Sequence, residues 1–261
     1  MLDLGTTLSG FGVGVIVGLT GIGGGALMTP VLVLIFGVAP HTAVGTDLLF
    51  ACITKVFGVL VHGRRGTVDW EVVRRLASGS LPAALATVLF LAHHGNSNAR
   101  NEVILTGVGI ALVLTALGLL FRRRLQEVGK SLRSRAPRKF KRAQPSLTVL
   151  AGAIVGLLVA LTSVGAGALG TVALVYLYPF RLNAAKLVGT DLAHAIPLAL
   201  VAGAGHLMLG HTDFGLLANL LLGSIPGILL GSALSTRAPE ALIRNAMASV
   251  LLVVAAKMLL R

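Results

Sequence analysis

Apolar residues gather into ten stretches along the chain, and the ten fall into two sets of five. Residues 6–20, 26–37, 43–61, 72–91 and 102–121 make the first set, and 147–162, 168–179, 186–205, 214–234 and 239–260 the second. Several reach the ~20 residues with which a helix crosses a bilayer. Stretches 103–121 and 216–234 carry no charged side chain. None alternates polar with apolar as barrel strands do. The pattern predicts an all-α polytopic membrane protein. The second stretch of each set is too short for a full crossing. As a helix, 26–37 rises about 18 Å, against a hydrocarbon core of about 30 Å, and 168–179 is no longer. Each follows a glycine-rich run, LTGIGGGALMTP (19–30) or LTSVGAGALGTV (161–172), so the first two stretches of each set are predicted to be short or broken.

The two sets are copies of one unit. VGTDL stands at 44–48 and again at 188–192, an offset of 144. The same offset pairs His62 with His206, Asp69 with Asp213 and Trp70 with Phe214, and it carries on through Gly79-Ser80-x-Pro82 and Gly223-Ser224-x-Pro226. Upstream the glycine runs align at 142, so the second copy gained two residues near Tyr178 and Pro179. The division expected is a first repeat over 1–121, a basic linker over 122–146 and a second repeat over 147–261. Five is odd, so the copies should face opposite ways. Loop 62–75 holds Arg64, Arg65, Arg74 and Arg75, whereas 206–217 has no Lys or Arg; turn 37–42 has none, whereas 179–186 has Arg181 and Lys186. Positive loops stay cytoplasmic, which puts linker 122–146 inside and both termini outside. Inverted repeats of this kind are a signature of secondary transporters, whose site lies between the copies near mid-membrane.

Charge changes the picture little. The chain is 12% charged and 55% hydrophobic with a net charge of +13, but ten of its 22 Lys and Arg lie between Arg122 and Arg142. Only Phe140 interrupts them for stacking, which argues against nucleic acid and for the surface of the lipid bilayer. The one cysteine, Cys52, excludes an internal disulfide or a multi-cysteine zinc site, and no metal or cofactor motif is present. The N-terminus lacks the basic start of a cleaved signal. No nucleophile and base stand at a spacing that suggests an enzyme.

Candidate chemistry sits at the glycine runs. A helix starting inside the membrane leaves amide N–H groups unpaired at its first turn, costly in lipid and well suited to an anion. Thr20, Gly21, Gly23, Gly24, Gly25 and Thr29 in the first copy, and Thr162, Ser163, Gly165, Gly167 and Thr171 in the second, are the expected substrate-binding residues, with Thr46 and Thr190 as further oxygen donors. Gly10, Gly14, Gly18, Gly152 and Gly156 read as packing glycines. Asp47 and Asp191 are repeat mates at membrane depth, where ionisable groups are functional candidates. Each could cap its helix, carry a proton or bind sodium. Lys55 lies two turns beyond Asp47 on the same face, and its mate is Ala199. His194 lies one turn beyond Asp191 and could relay protons. Asp69 and Asp213 read as helix caps, and Trp70 and Phe214 as interfacial anchors.

GLTGIGGGALMTPVLVLIFGVAPHTAVGTDLL followed by GTVDW, with LTSVGAGALGT, AKLVGTDL and GHLMLGHTDF in the second copy, resembles the sulfite exporter TauE/SafE family over nearly the whole chain except the basic linker. The resemblance implies a bacterial inner-membrane permease for small sulfur-containing or carboxylated anions such as sulfite and sulfonates. It also implies that Gly21, Gly23, Gly24, Gly25 and Pro30 form one glycine motif and Gly165 and Gly167 the other. This chain departs in having Gly-Ala-Gly in the second motif and Gly-Thr-Asp where many members have Gly-Thr-Ser. The expected function is proton-coupled anion transport by alternating access of the repeats. The alternative is a cation transporter or channel using Asp47 and Asp191.

Overall fold

Strong helix formers and long apolar runs make helices the cheapest way to keep backbone amides paired in lipid. The computed structural model describes residues 3–20, 25–62, 67–93, 97–234 and 240–260. Along them run α1 (Leu4–Thr20), α2 (Gly25–Leu34), α3 (Pro40–His62), α4 (Trp70–His93), α5 (Ser97–Arg135), α6 (Pro137–Thr162), α7 (Ala168–Leu177), α8 (Ala184–Met208), α9 (Phe214–Leu234) and α10 (Glu240–Leu259). Among the described residues α4, α5, α6, α8 and α9 are long and apolar enough to cross a membrane. Helices α2 and α7 have ten residues each, as the short stretches predicted.

The basic stretch 122–146 is helical apart from Ala136. Helix α5 continues for 39 residues to Arg135, and α6 starts at Pro137, where proline suits a first turn. The stretch folds onto the end of α7. Gly129 of α5 lies against the Tyr176 carbonyl, Phe140 meets the Tyr176 ring edge-on at 6.4 Å, and Gln144 donates to the Leu177 carbonyl.

The most extensive helix pairings run across the two copies rather than within them. Helix α1 lies along α9, and its repeat mate α6 lies along α4, the mate of α9. Helix α3 meets its own mate α8, and Cys52 Sγ lies 3.9 Å from the carbonyl oxygen of its repeat mate Ile196. The contacts match residue by residue. A Cβ on Gly10 or Gly14 would overlap the Leu220 or Ser224 carbonyl; on Gly152 or Gly156 it would overlap those of Leu76 and Ser80. Gly79 stands against the Val149 carbonyl and Gly223 against that of Thr7. Packing is therefore the role these glycines have, as small residues have between membrane helices generally.

The VGTDL motifs tie loops of one copy to helices of the other. The Thr46 hydroxyl accepts from the Asp213 amide at 3.0 Å, and the Thr190 hydroxyl accepts from the Asp69 amide at 3.0 Å. Gly45 and Gly189 leave room for the carbonyls of His211 and Thr67. Asp69 caps α4 through the Val72 amide at 3.3 Å, and Asp213 caps α9 through the Leu216 amide at 2.9 Å.

One loop carries a clamp that its mate lacks. Arg181, in the turn between α7 and α8, donates to Asp69 Oδ2 at 2.6 Å, Asp69 Oδ1 at 2.8 Å and Glu71 Oε2 at 2.6 Å. Arg75 donates to Glu71 and to the Tyr178 hydroxyl at 3.3 Å. Desolvation works against the charge on Arg181, but the bonds to Glu71 and Asp69 outweigh it and raise its pKa further. At the mate of Glu71 stands Gly215, and Asp213 has no ion pair among the described residues.

Candidate functional site

The site grows from the point where α6 stops. Helix α6 ends at Thr162, whose hydroxyl donates to the Leu158 carbonyl at 2.5 Å and accepts from the Val164 amide at 3.1 Å. Ser163 then takes a left-handed conformation, φ 59°, and Gly165 follows at φ 108°. Helix α7 begins at Ala168 with no side-chain cap. The whole turn is buried: Val164 is 0% exposed, Ala166 6% and Ala168 2%. The Leu169 and Gly170 amides return to the Gly165 carbonyl, and the Thr171 amide to that of Gly167. The amides of Gly165, Ala166, Gly167 and Ala168 donate to no acceptor among the described residues. Four buried N–H groups without a partner are uncommon in a folded protein, and unpaired amides beside a helix start suit an anion.

Charged groups surround this turn. Asp47 on α3 is fully buried, and Thr29 on α2 donates to its Oδ2 at 2.6 Å. The Ser163 hydroxyl faces the same carboxyl from the other copy. Asp191 on α8 is 2% exposed and packs against Gly170 of α7, where a Cβ would overlap its Oδ1. Lys55, 4% exposed, lies within electrostatic reach of both Asp191 and Asp47. Asp47 Oδ1, Asp191 Oδ1 and Ser163 Oγ have no hydrogen-bond partner among the described residues.

The structure therefore draws together Thr29, Asp47, Lys55, Ser163 and Asp191, with Gly165 and Gly167 on the adjoining turn and the buried Thr171 in the first turn of α7. Thr46, Thr190 and Thr162 are engaged by backbone groups. His194 Nε2 lies 2.8 Å from the Ser80 hydroxyl on α4, so this ring nitrogen is tied to Ser80 rather than to Asp191. Gly25 opens α2. Gly21, Gly23 and Gly24, and the side chain of Thr20, lie outside the described residues.

A second polar cluster escaped sequence reasoning. The His206 and His211 Nδ1 atoms lie 3.1 Å apart, His206 Nε2 donates to the Ala160 carbonyl at 2.8 Å, and the His41 ring sits 4.9 Å from that of His211. These histidines pin the loop after α8 to α6 and α3. Their signal was only the Gly45 approach, invisible without coordinates. His211→Ala is expected to lower the melting temperature by several degrees, since about 1–3 kcal/mol is at stake when a buried polar partner is lost; a thermal melt of the variant checks it.

The profile of the family described as sulfite exporter TauE/SafE matches residues 6–258. The chain is 42% identical over 257 residues to a "Probable membrane transporter protein YjnA" of Bacillus subtilis (strain 168), covering 97% of this chain and 98% of the relative. It is 25% identical to a "Probable membrane transporter protein YdhB" of the same organism, covering 90% and 91%. It is 26% identical to a "Probable membrane transporter protein" of Xylella fastidiosa (strain Temecula1 / ATCC 700964), covering 88% and 83%. No solved structure matches it.

Proposed function

The chain belongs to the sulfite exporter TauE/SafE family of membrane transporters, and from that premise we propose that it is a secondary transporter of small oxyanions such as sulfite or sulfonates. The observation that carries this reading is the row of unpaired amides at Gly165, Ala166, Gly167 and Ala168 in a buried turn. An oxyanion accepts from all of them at once, and the dipole of α7 favours its charge. Thr171 adds a hydroxyl, and the Lys55 ammonium supplies countercharge. The protein sits in the bacterial inner membrane with both termini periplasmic and the basic 122–146 stretch cytoplasmic.

A proton moves with the anion. Asp191 carries it, because a carboxyl buried against Gly170 has little to hold its charge beyond Lys55. Access alternates as the packed bodies shift, and those bodies mix the two copies: α1 moves with α9, and α4 with α6.

Screening the purified protein for thermal stabilisation by sulfite, sulfate, sulfonates, thiosulfate and small carboxylates tests the reading. Saturation by one of these anions, at the roughly 2.7 kcal/mol expected for a hundredfold excess over Kd, supports it; no response to any of them sinks it.

The Arg181 clamp closes the cytoplasmic side. Arg181→Ala is expected to speed maleimide labelling of a cysteine placed at Thr67 about fivefold, in a Cys52→Ala background, because a bonded charge network at an exposed site is worth on the order of 1 kcal/mol. Glu71→Gln should do less, since Asp69 still holds two of the three bonds. Labelling at the parental rate in Arg181→Ala counts against the gate.

A further inference from the structure

We infer that Asp47 and Ser163 hold a sodium ion at the end of α6, in the place that the repeat's symmetry would give to a second lysine. The inference rests on the reading of the chain as a coupled anion transporter and names its second partner.

The two copies are not charged alike. Lys55 on α3 is buried within electrostatic reach of both Asp191 and Asp47. Repeat symmetry would supply a second lysine from α8, but the mate of Lys55 is Ala199. One ammonium therefore serves two carboxylates. Asp47 has Thr29 on one oxygen, while its Oδ1 is buried and has no hydrogen-bond partner among the described residues. The absent second ammonium leaves a position for a mobile cation.

Ser163 points to the same place. Among the described residues it is the one non-glycine with positive φ, a conformation uncommon outside glycine. Its repeat mate is Gly21, the residue that backbone geometry alone would select. A serine kept here in a disfavoured conformation is kept for its hydroxyl. Ser163 is 3% exposed, and its hydroxyl lies beside the Asp47 carboxyl without a well-aligned hydrogen bond among the described residues. A buried hydroxyl and a buried carboxylate thus stand together at the C-terminal end of α6, where the helix dipole is negative. Ends of interrupted helices and their unwound carbonyls hold sodium in membrane transporters in this manner. Hard oxygen donors with no thiolate or imidazole at the point of contact suit an alkali cation better than a transition metal.

Charge balance gives the ion a purpose. With the coupling proton on Asp191, Asp47 and Lys55 cancel, so a bound anion would leave one uncompensated negative charge at membrane depth. A sodium ion at Asp47 balances that charge, so loading one ligand favours the other.

The test is a thermal melt of the full-length purified protein at fixed pH and ionic strength, with sodium replacing potassium or choline. Sodium, and neither of the others, should raise the melting temperature. Ser163→Gly and Asp47→Asn should each raise the half-maximal sodium concentration at least tenfold. Glycine suits φ 59°, so Ser163→Gly should melt in potassium no lower than the parent, and Asp47→Asn supplies an independent variant. No sodium-specific rise in the parent, or an unchanged half-maximal concentration in both variants, overturns the site. A parallel sulfite and sulfonate titration in potassium alone reads the anion site separately. Anion stabilisation without a sodium response leaves the transporter reading standing and removes this site; a sodium response without any anion response keeps this site and removes the anion reading.

Discussion

Gly79→Leu is expected to leave almost no correctly folded protein, while Gly12→Leu is tolerated. At Gly79 the Val149 carbonyl and the Ala153 amide nitrogen of α6 lie where a side chain would have to go; around Gly12 nothing lies within 4 Å. The neighbour at Gly79 is backbone, which cannot swing aside as a side chain can. Overpacking a membrane or soluble core typically costs 1–3 kcal/mol, and a leucine wedged between two backbones belongs at about 3 kcal/mol or beyond. The same substitution at Gly223, facing the Thr7 carbonyl, should be as damaging. Size-exclusion profiles and melting temperatures of the three variants decide it. A Gly79→Leu protein that elutes and melts like the parent would show that α4 and α6 are not in the close contact described.

The second large effect is on transport. Asp191→Asn should lower flux driven by a pH gradient tenfold or more, about 1.4 kcal/mol in the rate, while changing anion affinity by less than about threefold. Asparagine matches aspartate in size, so it fits against Gly170, but it cannot take up and release the proton. Proteoliposomes with an imposed pH gradient measure the flux, and the thermal shift measures binding. PH-driven flux that survives in Asp191→Asn removes this residue from coupling.

The helices and the short, glycine-flanked segments were legible in the sequence because they are written in local patterns: run length, glycine position and the 144-residue echo of VGTDL. The roles inside that motif were not. Thr46 and Thr190 look like ligand donors until their partners are seen, and those partners are backbone amides of the opposite copy, for whose loops Gly45 and Gly189 leave room. Arg181 was read only as a topological charge. Its carboxylates lie 112 and 110 residues away, a pairing that no local pattern encodes. Ser163 was chosen for its hydroxyl, but the left-handed backbone that makes its choice over glycine informative appears only in coordinates. The helical state of 122–146 accords with its Arg, Lys, Leu and Gln content, a signal that its dense charge masks.

Because α1 finds its companion in α9, and α6 finds its own in α4, neither half of this polypeptide owns a finished interior. Severed from the other, each would display a ridge of bare glycines with nothing to lie in it. Such a unit is whole only when the other copy lies against it, so the two halves have to come together before either interior closes.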